Sequence, residues 1–208
     1  MRKIIVSIFL VLTFLCSPAM SEMAVDWFNK AAALYVEGKF TDPKKALEYL
    51  NNAIKLQPDY ARAYNGRGLA YDDLGEHQRA LEDYNESIRL KPDEARAYFS
   101  RGIHYAKAGQ YQRAIEDYNK VIRLKPDEAD AYFNRGVVNY SLSQYQRAIE
   151  DYNKAIRLKP KNGKAYNNRG NAYLIQGNKN LGCRDAQKAC ALGVCKALEN
   201  AKGQGLCR

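Results

Sequence analysis

From residue 63 onward, apolar and polar positions recur on a beat of 34. The strings AYNGRGLAYDDLGEHQRALEDYNESIRLKPDE (63–94), AYFSRGIHYAKAGQYQRAIEDYNKVIRLKPDE (97–128) and AYFNRGVVNYSLSQYQRAIEDYNKAIRLKPKN (131–162) superpose at that shift. Looser copies flank them at 24–60 and 163–195. Each copy opens on a large aromatic (Trp27, Tyr64, Tyr98, Tyr132, Tyr166), followed four residues on by a small residue (Ala31, Gly68, Gly102, Gly136, Gly170). A second segment has a small residue (Ala46, Ala80, Ala114, Ala148, Gly182) and, four further on, a bulky one (Leu50, Tyr84, Tyr118, Tyr152). Spacings of three, four and seven put residues on one face of a helix. Each copy therefore predicts two helices, A and B, whose apolar stripes are packing surfaces. Pro58, Pro92, Pro126 and Pro160 end helix B, since proline disfavours helix in the residue before it.

A 34-residue period with these aromatic, small and proline positions resembles the tetratricopeptide repeat family. The resemblance extends over nearly the whole chain beyond its first two dozen residues. It implies an all-α fold, a right-handed α-solenoid of helix-turn-helix repeats at 24–60, 61–94, 95–128, 129–162 and 163–195. In such an array each repeat touches only its neighbours and the ends need capping. Two departures stand out. Repeat one has three extra residues, Thr41 to Pro43, where Asp42 can cap helix B with Pro43 at its first position. Repeat five has Ala186 in the tyrosine position and lacks the terminal proline.

The repeats also sample one another. Arg67, Arg101, Arg135 and Arg169 follow the opening aromatic by three, and Asp83, Asp117, Asp151 and Asp185 come sixteen residues later. Repeat one has Lys30 and Tyr49 at these places and lacks both members. This predicts an Arg–Asp pair joining helix A to helix B within each of repeats two to five, a forked guanidinium on a carboxylate. The alternative is an arginine ladder presented to a ligand.

Composition refines the picture. The 208 residues include 16 Tyr, 33 Lys plus Arg and 23 Asp plus Glu, a formal charge of +10. The tyrosine excess is accounted for mostly by core positions. Lys55, Arg89, Lys91, Arg123, Lys125, Arg157 and Lys159 fall at the C-terminal ends of helix B, where cations favour the helix dipole. Asp59, Asp93, Glu94, Asp127 and Glu128 open the next helix A, where anions are favoured. The basic balance is thus largely helix-end chemistry, and with no recognisable nucleic-acid module no nucleic-acid partner is expected.

Arg2 and Lys3 precede an apolar run from Ile4 to Cys16 and small residues from Ser17 to Ser21. That is the pattern of a secretory signal peptide over 1–21, cut near Ser21 or after Ala19. The run is too short for a spanning helix, so no transmembrane span is expected after processing. Bulky Phe14 and Leu15 before Cys16 argue against a lipoprotein. The expected location is the periplasm or the exterior.

The four cysteines remaining, Cys183, Cys190, Cys195 and Cys207, all lie in the last 26 residues. In an exported chain an even set reads as two disulfides. Helix B of repeat five is expected to run to about Leu192, with a turn at Gly193 and a final helix from Val194 to about Lys202. Seven residues of helix separate Cys183 from Cys190 by roughly 10 Å, beyond disulfide reach. A hairpin then favours Cys190–Cys195 and Cys183–Cys207, which staples residues 194–208 as a cap. Zinc is the weaker alternative, because the spacings lack paired C-x₂₋₄-C knuckles; no metal site is expected.

No triad, carboxylate pair or cofactor fingerprint appears, so neither an enzyme nor a cofactor is expected. His77 is placed at a packing position before helix B and His104 on the inner face of a helix A. Gly66-Arg67-Gly68 lacks the third glycine of a phosphate loop. What the resemblance offers is binding. In the resembled family a concave groove along the A helices takes extended or helical peptide segments. The corresponding positions here are Phe28, Asn29, Tyr35, Asn65, Leu69, Phe99, Ser100, Ile103, Phe133, Asn134, Val137, Tyr140, Asn167, Asn168 and Asn171, with Arg62, Arg96 and Lys164 at the rim. Phe28, Phe99 and Phe133 stand beside the packing aromatic and, exposed, would form an apolar strip; the alternative is packing between repeats. Asn29, Asn134 and Asn168 match the family's asparagine that bonds ligand backbone, whereas Gly66 and Ser100 interrupt that ladder. The family's paired-lysine carboxylate clamp is not reproduced.

The expectation is a non-enzymatic exported scaffold or adaptor whose groove binds a protein or peptide segment, apolar with acidic flanks. The alternatives are a structural or self-associating component of a cell-envelope complex, and a cell-wall-processing hydrolase that no residue here supports.

Overall fold

The computed structural model describes residues 18–207. Most of the expected leader, residues 1–17, lies outside the described residues, and its last four open the first helix. The chain divides after Ser100 into two compact units. The first contains α1 (Pro18–Ala32), a small hairpin of β1 (Tyr35–Val36) and β2 (Lys39–Phe40), α2 (Pro43–Leu56), α3 (Ala61–Asp73), α4 (His77–Leu90) and the start of α5 (Ala95–Lys107). Here α1 packs on α2, α2 on α3 and α3 on α4. The second unit takes the rest of α5, then α6 (Tyr111–Leu124), α7 (Ala129–Ser141), α8 (Tyr145–Leu158), α9 (Gly163–Ile175), α10 (Lys179–Ala191) and α11 (Lys196–Gly203). In it α6 packs on α7, each helix from α7 to α10 packs on the next, and α11 lies against α9 and α10. These are the tandem helical hairpins of the expected all-α class. Among the described residues no helix is long and apolar enough to cross a membrane.

The helix B stripe is as the period predicts, but the tyrosine excess is not mostly core: the opening aromatics Trp27, Tyr64, Tyr98, Tyr132 and Tyr166 are only half-buried. Tyr84, Tyr118 and Tyr152 are at most 1% exposed. Each ring is received by a glycine of the preceding helix A: a Cβ on Gly68 would lie 2.7 Å from Tyr84 Cε1, and one on Gly136 2.8 Å from Tyr152 Cε1. Burial pushes the pKa of all three phenols well above the ordinary tyrosine value. For Tyr84 the carboxylate of Asp72, which accepts its hydroxyl at 2.8 Å, adds to that shift. Where repeat five replaces tyrosine by Ala186, the helix backbones close in instead. A Cβ on Gly170 or Gly182 would stand 3.1 Å from the other's carbonyl oxygen.

The Arg–Asp pairs form in all four repeats. Arg67 Nε donates to Asp83 Oδ2 at 2.7 Å, Arg101 Nη2 to Asp117 Oδ1 at 2.7 Å, Arg135 Nη2 to Asp151 Oδ1 at 2.6 Å and Arg169 Nε to Asp185 Oδ2 at 2.6 Å. The guanidinium also reaches back to the preceding helix B. Arg67 Nη1 donates to Asn51 Oδ1 at 2.8 Å and Arg169 Nη1 to Asn153 Oδ1 at 2.6 Å, and Arg135 bonds Asn119 in the same way. One arginine thus ties three helices, which the arginine-ladder alternative does not describe. In repeat one Lys30 instead lies 4.1 Å from the centre of the Trp27 ring.

Three further sequence expectations need correcting. The irregularity of repeat one is a β-hairpin as well as the extra Thr41–Pro43. Tyr35 pairs with Phe40 and Val36 with Lys39. Glu37 (φ 51°) and Gly38 (φ 88°) make the turn, both in the left-handed region that a two-residue hairpin of matching twist requires. Phe40 N donates to Asp73 Oδ2 at 2.8 Å, fastening the hairpin to the end of α3. Asp42 does cap α2, accepting from Lys45 N at 3.0 Å. His77 is no packing residue: it begins α4 with its side chain 70% exposed and Nδ1 3.1 Å from Asp72 Oδ1. The last helix begins at Lys196 rather than Val194, with Cys195 as its N-cap.

At that end Gly193 (φ 85°) makes the turn after α10. Sulfur bonds join Cys183 to Cys207 and Cys190 to Cys195. A further tie seats α11, where Ala197 N donates to Asn167 Oδ1 at 2.9 Å.

Candidate functional site

The residues expected to face a ligand lie on successive A helices. Phe28 and Asn29 are on α1; Arg62, Asn65 and Leu69 on α3; Arg96, Phe99, Ser100 and Ile103 on α5; Phe133, Asn134, Val137 and Tyr140 on α7; Lys164, Asn167, Asn168 and Asn171 on α9. Their accessibility divides them. Arg62, Arg96, Lys164 and Asn29 are exposed, and Phe28, Phe99 and Phe133 are half-buried. The phenylalanines are thus neither a free strip nor interior. Phe28 packs its ring 5.3 Å from Tyr60, and Phe133 sits 6.0 Å from Tyr152, so each keeps one face for its own repeat array and one for solvent.

Asn65, Ser100 and Asn167 are corrections: they are 4%, 6% and 8% exposed. Asn167 is spent on the cap through Ala197, and its amide nitrogen also donates to Asn168 Oδ1 at 3.2 Å. Asn134 Nδ2 donates to the Asp130 carbonyl at 2.8 Å, a bond within its own helix that a ligand would have to replace. Asn29 and Asn171 make no such internal bond among the described residues. The asparagine ladder is therefore mostly engaged already.

One group of these residues does converge. In the first unit Phe28, Arg62, Asn65, Leu69 and Arg96 line a cavity of about 240 Å³, together with Ala31, Ala32, Tyr35, Phe40, Leu50 and Gly66. Its walls are chiefly apolar, and Arg62 lies 5.4 Å from the centre of the Phe28 ring. Two of its sides, Tyr35 and Phe40, come from the β-hairpin, with ring centres 4.9 Å apart. Burial raises the Tyr35 pKa and Asp73 adds to it, while the nearby Arg96 charge opposes the shift. From sequence Phe40 carries no expectation, Leu50 is expected only as a helix B packing residue and Gly66 only as a break in the asparagine ladder. For Phe40 the signal available was Tyr-Val-Glu-Gly-Lys-Phe, in which Tyr35, Val36 and Phe40 are strand formers flanking a Glu-Gly turn dipeptide.

Among curated proteins none matches the chain. Similar solved structures do exist. A crystal structure of MamA is 29% identical with a TM-score of 0.67, covering 75% of this chain and 91% of that one. A MamA structure from Desulfovibrio magneticus RS-1 shares the fold at 24% identity and TM-score 0.71, over 84% of this chain and 97% of that one. YrrB, described as a TPR protein with an unusual peptide-binding site, shares it at 20% identity and TM-score 0.68, over 86% and 92%. The tetratricopeptide repeat itself is matched at residues 33–95 and 99–163, and a second form of it at 151–184. With the hairpins, the glycine-seated tyrosines and these matches together, the chain belongs to the tetratricopeptide repeat family.

Proposed function

We propose that this protein is an exported, non-enzymatic adaptor whose helix A faces bind an apolar segment of another protein, flanked by acidic residues. Helical-hairpin repeats of this family serve as interaction scaffolds, and that supports the general class. The observation that carries the reading is the set of half-buried phenylalanines Phe28, Phe99 and Phe133, each standing beside the opening aromatic of its helix A, itself half-buried. Phe28 and Phe133 pack one side of their rings on neighbouring tyrosines, but all three phenylalanines remain partly exposed, and partly exposed aromatic rings are what partner sites are built from. Arg62, Arg96 and Lys164, all exposed, suit acidic flanks on the bound segment.

Phe99→Ala combined with Phe133→Ala is expected to release the partner in a crosslinking pulldown from the native compartment, with the circular dichroism unchanged. Retention of every partner would count against the helix A face.

Export is the second half of the proposal. Arg2-Lys3 and the apolar run to Cys16 argue for it, and so does the confinement of four cysteines to the C-terminal cap. Cross-links there would seal the apolar side of repeat five against solvent, a role that reducing compartments would deny them. Protein purified from its native compartment and denatured without reductant should show no titratable thiol among Cys183, Cys190, Cys195 and Cys207. Four free thiols would refute the cap.

A further inference from the structure

The cavity behind the β-hairpin differs from everything else on the helix A faces in three independent ways. It is lined by an element that only repeat one has, since Tyr35 and Phe40 belong to β1 and β2. It opens over Gly66, where the sister repeats carry Ser100, Asn134 and Asn168. A Cβ on Gly66 would already stand 3.1 Å from Leu50 Cδ2, so a side chain there would intrude on the space. And it contains Asn65, only 4% exposed, whose Oδ1 has no hydrogen-bond partner among the described residues. A buried carbonyl oxygen without a donor is costly to keep.

Charge completes the description. Arg62 and Arg96 lie on the cavity's lining, exposed, and have no carboxylate partner among the described residues. Arginines elsewhere in the first unit are engaged: Arg67 with Asp83, Arg79 with Glu76 and Arg89 with Glu86. Two guanidiniums without a carboxylate, one of them over the Phe28 ring, beside an apolar hole call for an anion joined to an apolar group, and guanidinium forks match carboxylates. A polypeptide supplies all three requirements at once: an apolar side chain, a backbone N–H and a neighbouring carboxylate.

We infer that the cavity walled by the β1–β2 hairpin is an anchoring pocket for a peptide segment, receiving one apolar side chain, presenting Asn65 to its backbone N–H and holding an adjacent carboxylate on Arg62 and Arg96. The inference rests on the proposed protein-binding role and names the part of the surface that gives it specificity. Phe133 and the rest of the second unit are not required for it.

The test uses the full chain and three fluorescein-labelled hexapeptides read by fluorescence polarisation. One has leucine between two aspartates, one has those aspartates changed to lysines, and one has the leucine changed to serine. Two variants block the pocket by different means. Ala32→Trp pushes bulk into the cavity from an exposed position, and Arg62→Glu with Arg96→Glu reverses its charge. The leucine–aspartate peptide is expected to bind the unaltered chain at least tenfold more tightly than the other two. Each variant is expected to weaken it at least tenfold with an unchanged melting curve, and Phe133→Ala to leave it alone. Equal binding by Ala32→Trp and the charge-reversed variant, no preference for aspartate over lysine, or no binding at all would overturn the pocket. Loss in Phe133→Ala with retention in both pocket variants would also overturn it while leaving the broader helix A reading in place. Peptide capture by the pocket, with the pulldown partner retained by Phe99→Ala and Phe133→Ala together, would sink the wider face and spare the pocket.

Discussion

Tyr118→Ala is expected to cost the second unit about 3–5 kcal/mol of stability, the range for truncating a buried aromatic. The ring is 1% exposed. It lies against Gly102, where a Cβ would come within 2.8 Å of Cε1. That close fit is why the loss should fall in the upper range: the facing position has no side chain that could swing into the space. Truncation thus removes transfer free energy and leaves a cavity as well. Urea denaturation followed by far-ultraviolet circular dichroism measures the change, and a second probe on α9 reports whether the whole unit still melts together. Gly102→Ala attacks the same contact from the other side, by crowding, and should also destabilise. A Tyr118→Ala chain with an unchanged midpoint would mean the tyrosine is not a keystone of the hairpin.

Asp151→Asn should be the next most damaging single change, at about 2–4 kcal/mol. The residue is 4% exposed, and its carboxylate accepts from Arg135 Nη2 at 2.6 Å, Arg135 Nε at 3.0 Å and Asn139 Nδ2 at 2.9 Å. Removing one charge of a buried pair strands the other, which typically costs about 3–5 kcal/mol. The figure is set lower here because the Arg135 side chain keeps 24% exposure and water can still reach it. Glu86→Gln is the fitting control. It breaks the Glu86–Arg89 pair, which has 32% and 68% of its side chains exposed, and should leave the midpoint where it was. Replacing both partners, Arg135→Met with Asp151→Leu, should recover part of the loss, since an apolar pair need not be desolvated at a cost. An unmoved midpoint for Asp151→Asn would reduce these pairs to ornament on a fold held by tyrosine and glycine alone.

The two predictions concern features legible in the chain, for the same reason. A tyrosine four residues after an alanine, or an arginine sixteen before an aspartate, recurs every 34 residues, so each repeat reports on the others. The asparagines that complete the arginine bridges, Asn51, Asn119 and Asn153, recur on the same beat and could have been found by it. They were missed because an arginine was assigned one partner, when its planar fork has donors for two. The groove positions were legible only as positions. Asn65 and Asn167 share the repeat position of Phe99 and Phe133, which are only half-buried, so the register does not say that the two asparagines are buried; that depends on what the neighbouring or terminal helix brings over them.

By itself, then, the sequence determined the helical hairpins, their turns, their packing tyrosines and the Arg–Asp ties, all of which depend on residues within one repeat or its immediate neighbour. The tertiary structure alone decided the hairpin of Tyr35 to Phe40, the docking of α11 on Asn167 and the cavity at Phe28, Asn65 and Leu50. Those features occur once, at an end of the array or beside an insertion. A periodic pattern has no second copy against which a unique contact could be recognised, and the hollow is set by where separate elements stop short of touching.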